Sequence, residues 1–240
     1  MFKSIAPVFF RAFYGKIASP FFHVKSKKRR FADGWATENE VRIAKTAITK
    51  GSATVVKGTG NCLVIGEGAK FSGSVAVSGN GNRVAIGDNC NFRGDILVRG
   101  DYQTVSFGDH STSAGIYILC QENRNVLIGK WCMFSREIEI RTTDAHSVVD
   151  RDTGQRLNSP GDVIVGDHVW VGVGSILNKG SIVPSDSIVG AMSFVNRGFE
   201  EEGIILAGTP AQIVKRNITW NRSRKASFPL DELYHWKAED

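Results

Sequence analysis

The side chains best suited to proton-transfer chemistry lie in one polar segment, residues 141–164, whose only histidine is His146. A neutral imidazole near physiological pH can accept a proton from a hydroxyl and return it to a leaving group. Asp144 and Asp150 are close enough in the sequence to orient that ring, and the sequence favours neither of them. Because a histidine in a polar loop is more often an ordinary surface residue, the assignment depends on a rigid scaffold that would position it.

A six-residue period directly after this segment predicts such a scaffold. Each hexad begins with an aliphatic residue followed by a small or turn-forming one: Val165-Gly166, Val171-Gly172, Leu177-Asn178, Val183-Pro184 and Val189-Gly190. The hexads end in Trp170, Ile176, Ile182, Ile188 and Phe194. This period fits neither a 3.6-residue helix nor a simple alternating strand. It is typical of a parallel β-helix, in which each hexad forms one flat face and a corner.

Upstream, the repeat continues with a period of 21 residues. The dipeptides that mark it are Ile65-Gly66, Ile86-Gly87, Phe107-Gly108 and Ile128-Gly129. A second column contains Phe71, Phe92 and Phe134, with Ser113 as the exception, and Asn61, Asn82 and Gln103 form a column of amide side chains that could stack in a ladder. Three hexads need only 18 residues, so the sequence predicts one longer corner in each coil. We expect one all-β solenoid over residues 50–210, between extensions formed by residues 1–49 and 211–240.

The charge of the chain is unevenly distributed. The 240 residues carry a formal net charge of +6, but residues 1–30 alone contain eight Lys or Arg residues and no acidic residue. The remainder of the chain is therefore slightly acidic. This distribution argues against a nucleic-acid partner for the solenoid.

The first 30 residues allow two interpretations. Apolar side chains fall on one face of a possible helix: Phe2, Ile5, Val8, Phe9, Phe13 and Ile17. Arg11 and Lys16 interrupt any apolar run long enough to span a bilayer or to act as a signal peptide. The segment could be a peripheral anchor to anionic lipid, or a helix that packs on the end of the solenoid and covers its open edge.

The four cysteines predict neither disulfides nor a metal site. Cys90 and Cys132 share one repeat column but lie two coils apart, and Cys62 and Cys120 lie in other columns. No CxxC pair or Cys/His spacing suggests zinc, so no metal is expected. Reduced core thiols are typical of a cytoplasmic protein.

Four sequence segments together resemble the hexapeptide-repeat acyltransferases: DAHSVVDRDTG (144–154), VGDHVWVGVGSIL (165–177), VGAMSFV (189–195) and AGTPAQIVK (207–215). Within that family they are most similar to the O-acetyltransferases of sugars and surface polysaccharides. The resemblance implies a left-handed parallel β-helix, a homotrimer, acetyl-CoA as co-substrate, and a hydroxyl of a sugar or of a capsular, lipopolysaccharide or sialic-acid-type glycan as acceptor. It also implies an active site in the groove between neighbouring subunits. Short helical extensions are expected at both ends from the residues themselves, at the C-terminus from Leu230, Leu233, Tyr234 and Trp236.

The resemblance extends to individual residues. His146 matches the general base of the family, with Asp144 as a candidate to orient it. Trp170 matches the tryptophan that lines the catalytic cleft and the pantetheine arm. Ala191 matches a position where the backbone contacts that arm.

The basic residues near the C-terminal end of the solenoid match the positions that meet the phosphates of the co-substrate. They are Arg197 and Lys215, with Arg216 as a substitute because Gln212 stands where an arginine is common. The segment around Arg197 departs from the family pattern, and solvated surface charge is a competing interpretation of this residue.

Other function classes remain open at this point. An N-acetyltransferase of an amino sugar or an antibiotic acetyltransferase would have the same fold. A γ-class carbonic anhydrase needs three histidine ligands on adjacent coils, and His110, His146 and His168 do not have that spacing. A non-catalytic solenoid would have no reason to carry a histidine-bearing insertion before the Trp170 hexad.

Overall fold

The computed structural model describes residues 31–35 and 38–237, and the extension of residues 1–30 lies outside the described part. Within these ranges there are twenty strands. The first ten are β1 (Glu40–Ile43), β2 (Ile48–Lys57), β3 (Cys62–Ile65), β4 (Lys70–Ser78), β5 (Arg83–Ile86), β6 (Asn91–Arg99), β7 (Thr104–Phe107), β8 (Thr112–Ser113), β9 (Ile116–Gln121) and β10 (Val126–Ile128). The others are β11 (Met133–Phe134), β12 (Ile138–Arg141), β13 (Val163–Val165), β14 (Trp170–Val171), β15 (Ile176–Leu177), β16 (Ile182–Val183), β17 (Ile188–Val189), β18 (Phe194–Val195), β19 (Ile205–Gly208) and β20 (Ala211–Lys215).

The strands form three faces of a parallel β-helix. The first face is the sheet β1-β3-β5-β7-β10-β13-β16. The second face contains β8, β11, β14, β17 and β19, and the third contains β9, β12, β15 and β18; β2, β4 and β6 run through both of these faces. All pairings between coils are parallel, with each residue opposite its repeat partner, as for Leu63 and Val84. The predicted left-handed parallel β-helix is confirmed.

The first coil begins earlier than the expected boundary at residue 50, because β1 and β2 already pair with β3 and β4. The offset from Glu40 to Cys62 is one residue longer than the 21-residue period, so the first coil does not match the sequence repeat. The predicted amide ladder is confirmed for Asn61 and Asn82, whereas the side chain of Gln103 donates to Cys120 Sγ and the Arg124 carbonyl instead. Asn39 adds a first position: its Oδ1 accepts hydrogen bonds from Nδ2 and the backbone N of Asn61, both at 2.8 Å. The Oδ1 of Asn61 in turn accepts from Nδ2 of Asn82 at 3.0 Å.

The interior is filled by columns of inward side chains that repeat from coil to coil. Phe71 and Phe92 stack with ring centroids 5.1 Å apart. Ser113 interrupts this column, and the large side chain of the same coil is instead Phe107 on the first face. The Phe107 ring lies 5.2 Å from that of Phe92 and 5.8 Å from that of Phe134, so the aromatic stack continues through the coil. The coil thus keeps a similar side-chain volume with the large and small residues exchanged.

The corner that joins the third face to the first is longer in the 21-residue coils than in the coils of hexads. Val75, which lies in the same column as Leu177, precedes Ile86 by eleven positions, whereas Leu177 precedes Val183 by six. Gly79 and Gly81 adopt positive φ values of 131° and 64° in this corner. The segment between β12 and β13, which contains His146, emerges from the same corner. The loop is therefore a larger extension of a corner that is already long.

The C-terminal end of the solenoid is closed by a hairpin and a returning segment. β20 pairs antiparallel with β19, which ends the parallel stacking. The chain then turns back along the corner between the first and second faces, and its described part finishes with α1 (Leu230–Leu233) and a 3₁₀ turn (His235–Lys237). The expected short C-terminal helix is thus present. In the described part of the chain, no helix has the length and apolarity that crossing a bilayer requires.

The four cysteines are free, as expected, and three of them belong to the interior. Burial raises the pKa values of Cys90, Cys120 and Cys132 to about 12. At neutral pH these thiols are protonated and behave as small apolar side chains.

Phe107→Ala should destabilise the protein by about 3–5 kcal/mol, because the change leaves a cavity at the one place where Ser113 cannot fill the column. The free energy of unfolding from a guanidinium titration measures the effect. Tyr102→Ala is the matched control, since Tyr102 is 81% exposed and its loss should change the stability by less than about 0.5 kcal/mol. Equal effects of the two changes would contradict this account of the core.

Candidate functional site

Residues 142–162 form a hairpin-like loop rather than an irregular excursion. Val149 and Arg156 form an antiparallel bridge, and the N–H of Leu157 donates to the carbonyl of Val148 at 2.8 Å. At the tip, Asp150 Oδ1 accepts hydrogen bonds from the backbone N and Oγ1 of Thr153 at 2.7 and 2.8 Å. These bonds lower the pKa of Asp150. Asp150 therefore stabilises the turn at the tip, and its carboxylate hydrogen-bonds Thr153 there instead of orienting His146.

Asn158 fastens the base of the loop around His146. Its Nδ2 donates to the carbonyl of His146 and to Asp144 Oδ2, each at 2.8 Å, and its Oδ1 accepts from the N–H of Val148 at 2.7 Å. One side chain thus contacts three alternate positions of the opposite strand. Because bonds of this number and length restrict the backbone, His146 is held at a defined place on an exposed loop.

The Asp144 carboxylate is anchored to the body of the solenoid. It forms an ion pair of 2.7 Å with Lys179, which lies at the corner of the next coil. The bonds to Lys179 and Asn158 lower the pKa of Asp144, so it is ionised at neutral pH. Both bonds fix the main chain two residues before His146. This geometry places Asp144 beside the candidate base as a residue that positions the loop.

A second anchor lies on the coil below the loop. Arg156 donates to Glu122 through Nη1 at 2.5 Å and Nη2 at 3.1 Å, and Thr143 Oγ1 also hydrogen-bonds this carboxylate. The bonds from Arg156 and Thr143 lower the pKa of Glu122. The loop is therefore attached on both sides of His146. Ala145, with a φ of 63°, turns the chain immediately before the histidine, whose side chain is exposed.

Trp170 lies elsewhere on the same chain. It occupies an outward position of β14 on the second face, is 38% exposed, and pairs with Met133 on one side and Ile188 on the other. The His146 loop, in contrast, leaves the corner between the third and first faces. Among the contacts of the described residues, none joins His146 to Trp170. A single chain does not bring these two residues together.

The other predicted site residues follow Trp170 toward the C-terminal end. Ala191 is exposed at the corner of the adjacent coil. Its backbone lies so close to Gly172 that a Cβ added to Gly172 would be 2.6 Å from the Ala191 nitrogen. Arg197 Nη2 donates to Gln212 Oε1 at 2.6 Å. Lys215 is exposed on β20, and Arg216 forms an exposed 2.9 Å ion pair with Glu201. The three basic residues thus share the end of the solenoid beyond Trp170.

The returning C-terminal segment is fixed by a cluster that we call the C-terminal clasp: Trp220 and Thr219 packed on His168 and Asp186. The Trp220 ring stacks on His168 at 4.3 Å, and its Nε1 donates to the His168 carbonyl at 2.8 Å. Asp186 Oδ1 lies 2.8 Å from His168 Nδ1 and 2.7 Å from Thr219 Oγ1. Burial lowers the pKa of His168, although Asp186 opposes the shift. His168 is therefore a structural residue of the corner.

The sequence carries no motif that marks Asn158, Lys179 or the clasp as part of the site. Asn158 and Lys179 lie in or beside segments of ordinary polar composition, and no period relates either residue to His146. Trp220 was the available signal for the clasp, because a tryptophan beyond the last repeat is expected to find a packing surface.

The chain is similar to known enzymes over most of its length. It is 31% identical over 195 residues to a polysialic acid O-acetyltransferase of Neisseria meningitidis, an alignment that covers 81% of this chain and 91% of the relative. The crystal structure of the polysialic acid O-acetyltransferase OatWY matches with a TM-score of 0.73 and 31% identity over 83% of this chain and 96% of that one. The polysialic-acid-specific acetyltransferase NeuO matches with a TM-score of 0.71 and 30% identity, covering 83% of this chain and 94% of that one. No protein-family model matches the sequence.

Asn158→Ala should loosen the loop around His146 without unfolding the solenoid, because it removes three hydrogen bonds that lie outside the repeat. Hydrogen–deuterium exchange followed by mass spectrometry should become faster for residues 144–150 and remain unchanged for the coils. Asp152→Ala at the exposed tip is the control and should leave exchange at 144–150 as in the parent. Unchanged exchange in Asn158→Ala would show that other contacts hold the loop.

Proposed function

The chain belongs to the hexapeptide-repeat O-acetyltransferase family and is an acyltransferase, and we propose that it transfers the acetyl group of acetyl-CoA to a hydroxyl of a sugar or surface polysaccharide. The observation that carries this proposal is the exposed His146, held by Asn158 and Asp144 at the base of a doubly anchored loop. The three relatives described above are named for polysialic acid, which supports a glycan acceptor here.

In the proposed reaction His146 is the general base. It accepts the proton of the acceptor hydroxyl while that oxygen attacks the acetyl carbonyl, and it returns the proton to the departing thiolate. Acetyl-CoA supplies the activated acetyl group. The Lys179–Asp144–Asn158 chain contributes by fixing the backbone that carries the imidazole, since a base must lie within hydrogen-bond reach of the proton it abstracts.

The residues beyond Trp170 fit a long co-substrate with a phosphorylated end. Trp170 offers an exposed apolar ring, and Ala191 on the adjacent coil has a side chain small enough for close approach of the pantetheine arm. Arg197, Lys215 and Arg216 would meet the phosphates at the end of the solenoid. The Arg216–Glu201 pair is exposed, and such pairs contribute little stability, so a phosphate can replace the carboxylate.

We propose a homotrimer in which the loop of one subunit faces the second face of its neighbour. Two observations support it. His146 and Trp170 are apart within one chain, so a second copy is needed to bring them together. In addition, Leu127, Ile164 and Ile182 form a continuous outward apolar stripe on the first face, each at least 36% exposed, as is typical of a surface that another chain covers.

His146→Ala should reduce acetyl transfer by roughly 10²- to 10⁴-fold, the usual contribution of general acid–base catalysis. The assay is release of free thiol from acetyl-CoA with a panel of sugars and bacterial polysaccharides. Oligomer size and coenzyme A affinity should remain unchanged, because His146 lies outside the repeat core. Arg151→Ala at the loop tip is the control and should keep full activity.

The shared site can be tested by mixing two inactive proteins. Trimers reassembled from His146→Ala and Trp170→Ala chains should regain part of the activity, because some interfaces then combine an intact histidine with an intact tryptophan. Near-normal turnover by His146→Ala would rule out the base assignment. No recovery in mixed trimers would place both residues of each site on one chain.

For residues 1–30 we propose peripheral attachment to anionic lipid at the cytoplasmic face of a membrane, on the basis of eight basic residues without an acid. Deleting residues 1–30 should abolish sedimentation with phosphatidylserine vesicles at low salt, while turnover of a soluble acceptor survives. Vesicles of phosphatidylcholine are the control. If the full-length protein does not sediment with anionic vesicles, the alternative is favoured, in which this segment is a helix that covers the open edge of the solenoid.

A further inference from the structure

A groove of about 620 Å³ lies on the second face beside Trp170. It runs from Trp170 across the coils of Met133 and Thr112 to Arg93, and Arg222 of the returning C-terminal segment forms one wall. These are four successive coils, which at about 4.8 Å per coil gives a length of roughly 14 Å. A groove of this length has room for more than one unit of a polymer.

The returning C-terminal segment places Arg222 in this groove, where two hydrogen bonds hold its guanidinium. Its Nη1 donates to Thr112 Oγ1 at 2.8 Å, and its Nη2 donates to the Cys132 carbonyl at 3.0 Å. The C-terminal clasp holds the chain two residues before it, at Trp220. A guanidinium has five N–H donors, so the two anchoring bonds leave others available for a ligand.

The charge of the groove is uncompensated. No acidic side chain is among the residues that line it, and within residues 31–35 and 38–237 neither Arg93 nor Arg222 takes part in an ion pair. Partial desolvation lowers the pKa of Arg222, but the group stays charged at neutral pH. A positive charge that loses water without a carboxylate partner is costly, and an anionic ligand would offset that cost.

We propose that this groove binds the acidic sugar units of the acceptor, with Arg222 receiving a carboxylate through its planar fork of N–H groups. This inference rests on the proposed function. The direction of the groove separates the acceptor from the co-substrate. It extends from Trp170 toward the N-terminal coils, whereas Arg197, Lys215 and Arg216 lie toward the C-terminal end. Trp170 then lies between the two substrates, where transfer must occur.

The test is the binding of two probes that differ only in charge: a short oligomer of sialic acid and the same oligomer with its carboxylates reduced to alcohols. Isothermal titration calorimetry with the full-length protein gives the dissociation constants. Arg222→Met should weaken binding of the acidic oligomer by about 10- to 100-fold, the value of hydrogen bonds to a charged group, and leave the neutral oligomer and coenzyme A unaffected.

Two further variants sharpen the test. Arg222→Lys should lie between the parent and Arg222→Met, because an ammonium keeps the charge but lacks the bidentate fork. If Arg222→Met does not fold, as melting curves and sizing would show, the affinity of Arg222→Lys for the acidic oligomer still tests the proposal. Arg224→Met, two residues along the same exposed segment, is the matched control and should bind the acidic oligomer like the parent protein.

The proposal is overturned if Arg222→Met binds the acidic oligomer as tightly as the parent, or if the parent does not prefer the acidic oligomer over the neutral one. A loss confined to coenzyme A would also overturn it and would assign Arg222 to the phosphates of the co-substrate. Arg222-dependent binding of the acidic oligomer without any acetyl transfer would instead leave the groove assignment intact and refute the proposed function.

Discussion

Every coil of this protein must reproduce the cross-section of the coil beneath it, because parallel backbone hydrogen bonds join neighbouring coils along the axis. The inward columns follow from this constraint, and so does the way the chain accommodates a departure from them. Ser113 would leave the aromatic column incomplete, and Phe107, on another face of the same coil, restores the volume. The constraint therefore acts on the volume of the whole coil and not on each column separately.

The same constraint explains which features the sequence predicts. Side chains that point inward or stack at corners recur with a fixed period, so the coils, the amide ladder and the fold class are apparent before any coordinates. The sequence did not predict the first coil, because a single extra residue between Glu40 and Cys62 breaks the 21-residue period. Asn158 and Arg222 could not be predicted, because their partners lie at distances along the chain that no repeat sets. His146 is the histidine of a polar loop and Trp170 closes a hexad, and only the resemblance to a family predicts roles for them.

Irregular segments therefore provide the candidate chemistry, and the regular coils provide the positions. The His146 loop extends the corner between the third and first faces, and the C-terminal segment returns along the corner between the first and second faces. Each is attached to several coils by side chains: the loop through Lys179 and Glu122, the C-terminal segment through His168 and Thr112. Because a stacked solenoid is stiff, groups attached to separate coils keep fixed separations along the axis.

Stiffness of this kind matters most for an active site shared between chains. A base carried on one subunit can serve a groove on another only if neither loop nor groove moves relative to its own solenoid. The anchors of the two segments meet that requirement from opposite sides: Asn158 holds the backbone at His146, and the clasp at Trp220 holds Arg222 beside Trp170. On this view the clasp, which has no chemistry of its own, would influence acceptor specificity through the position of Arg222.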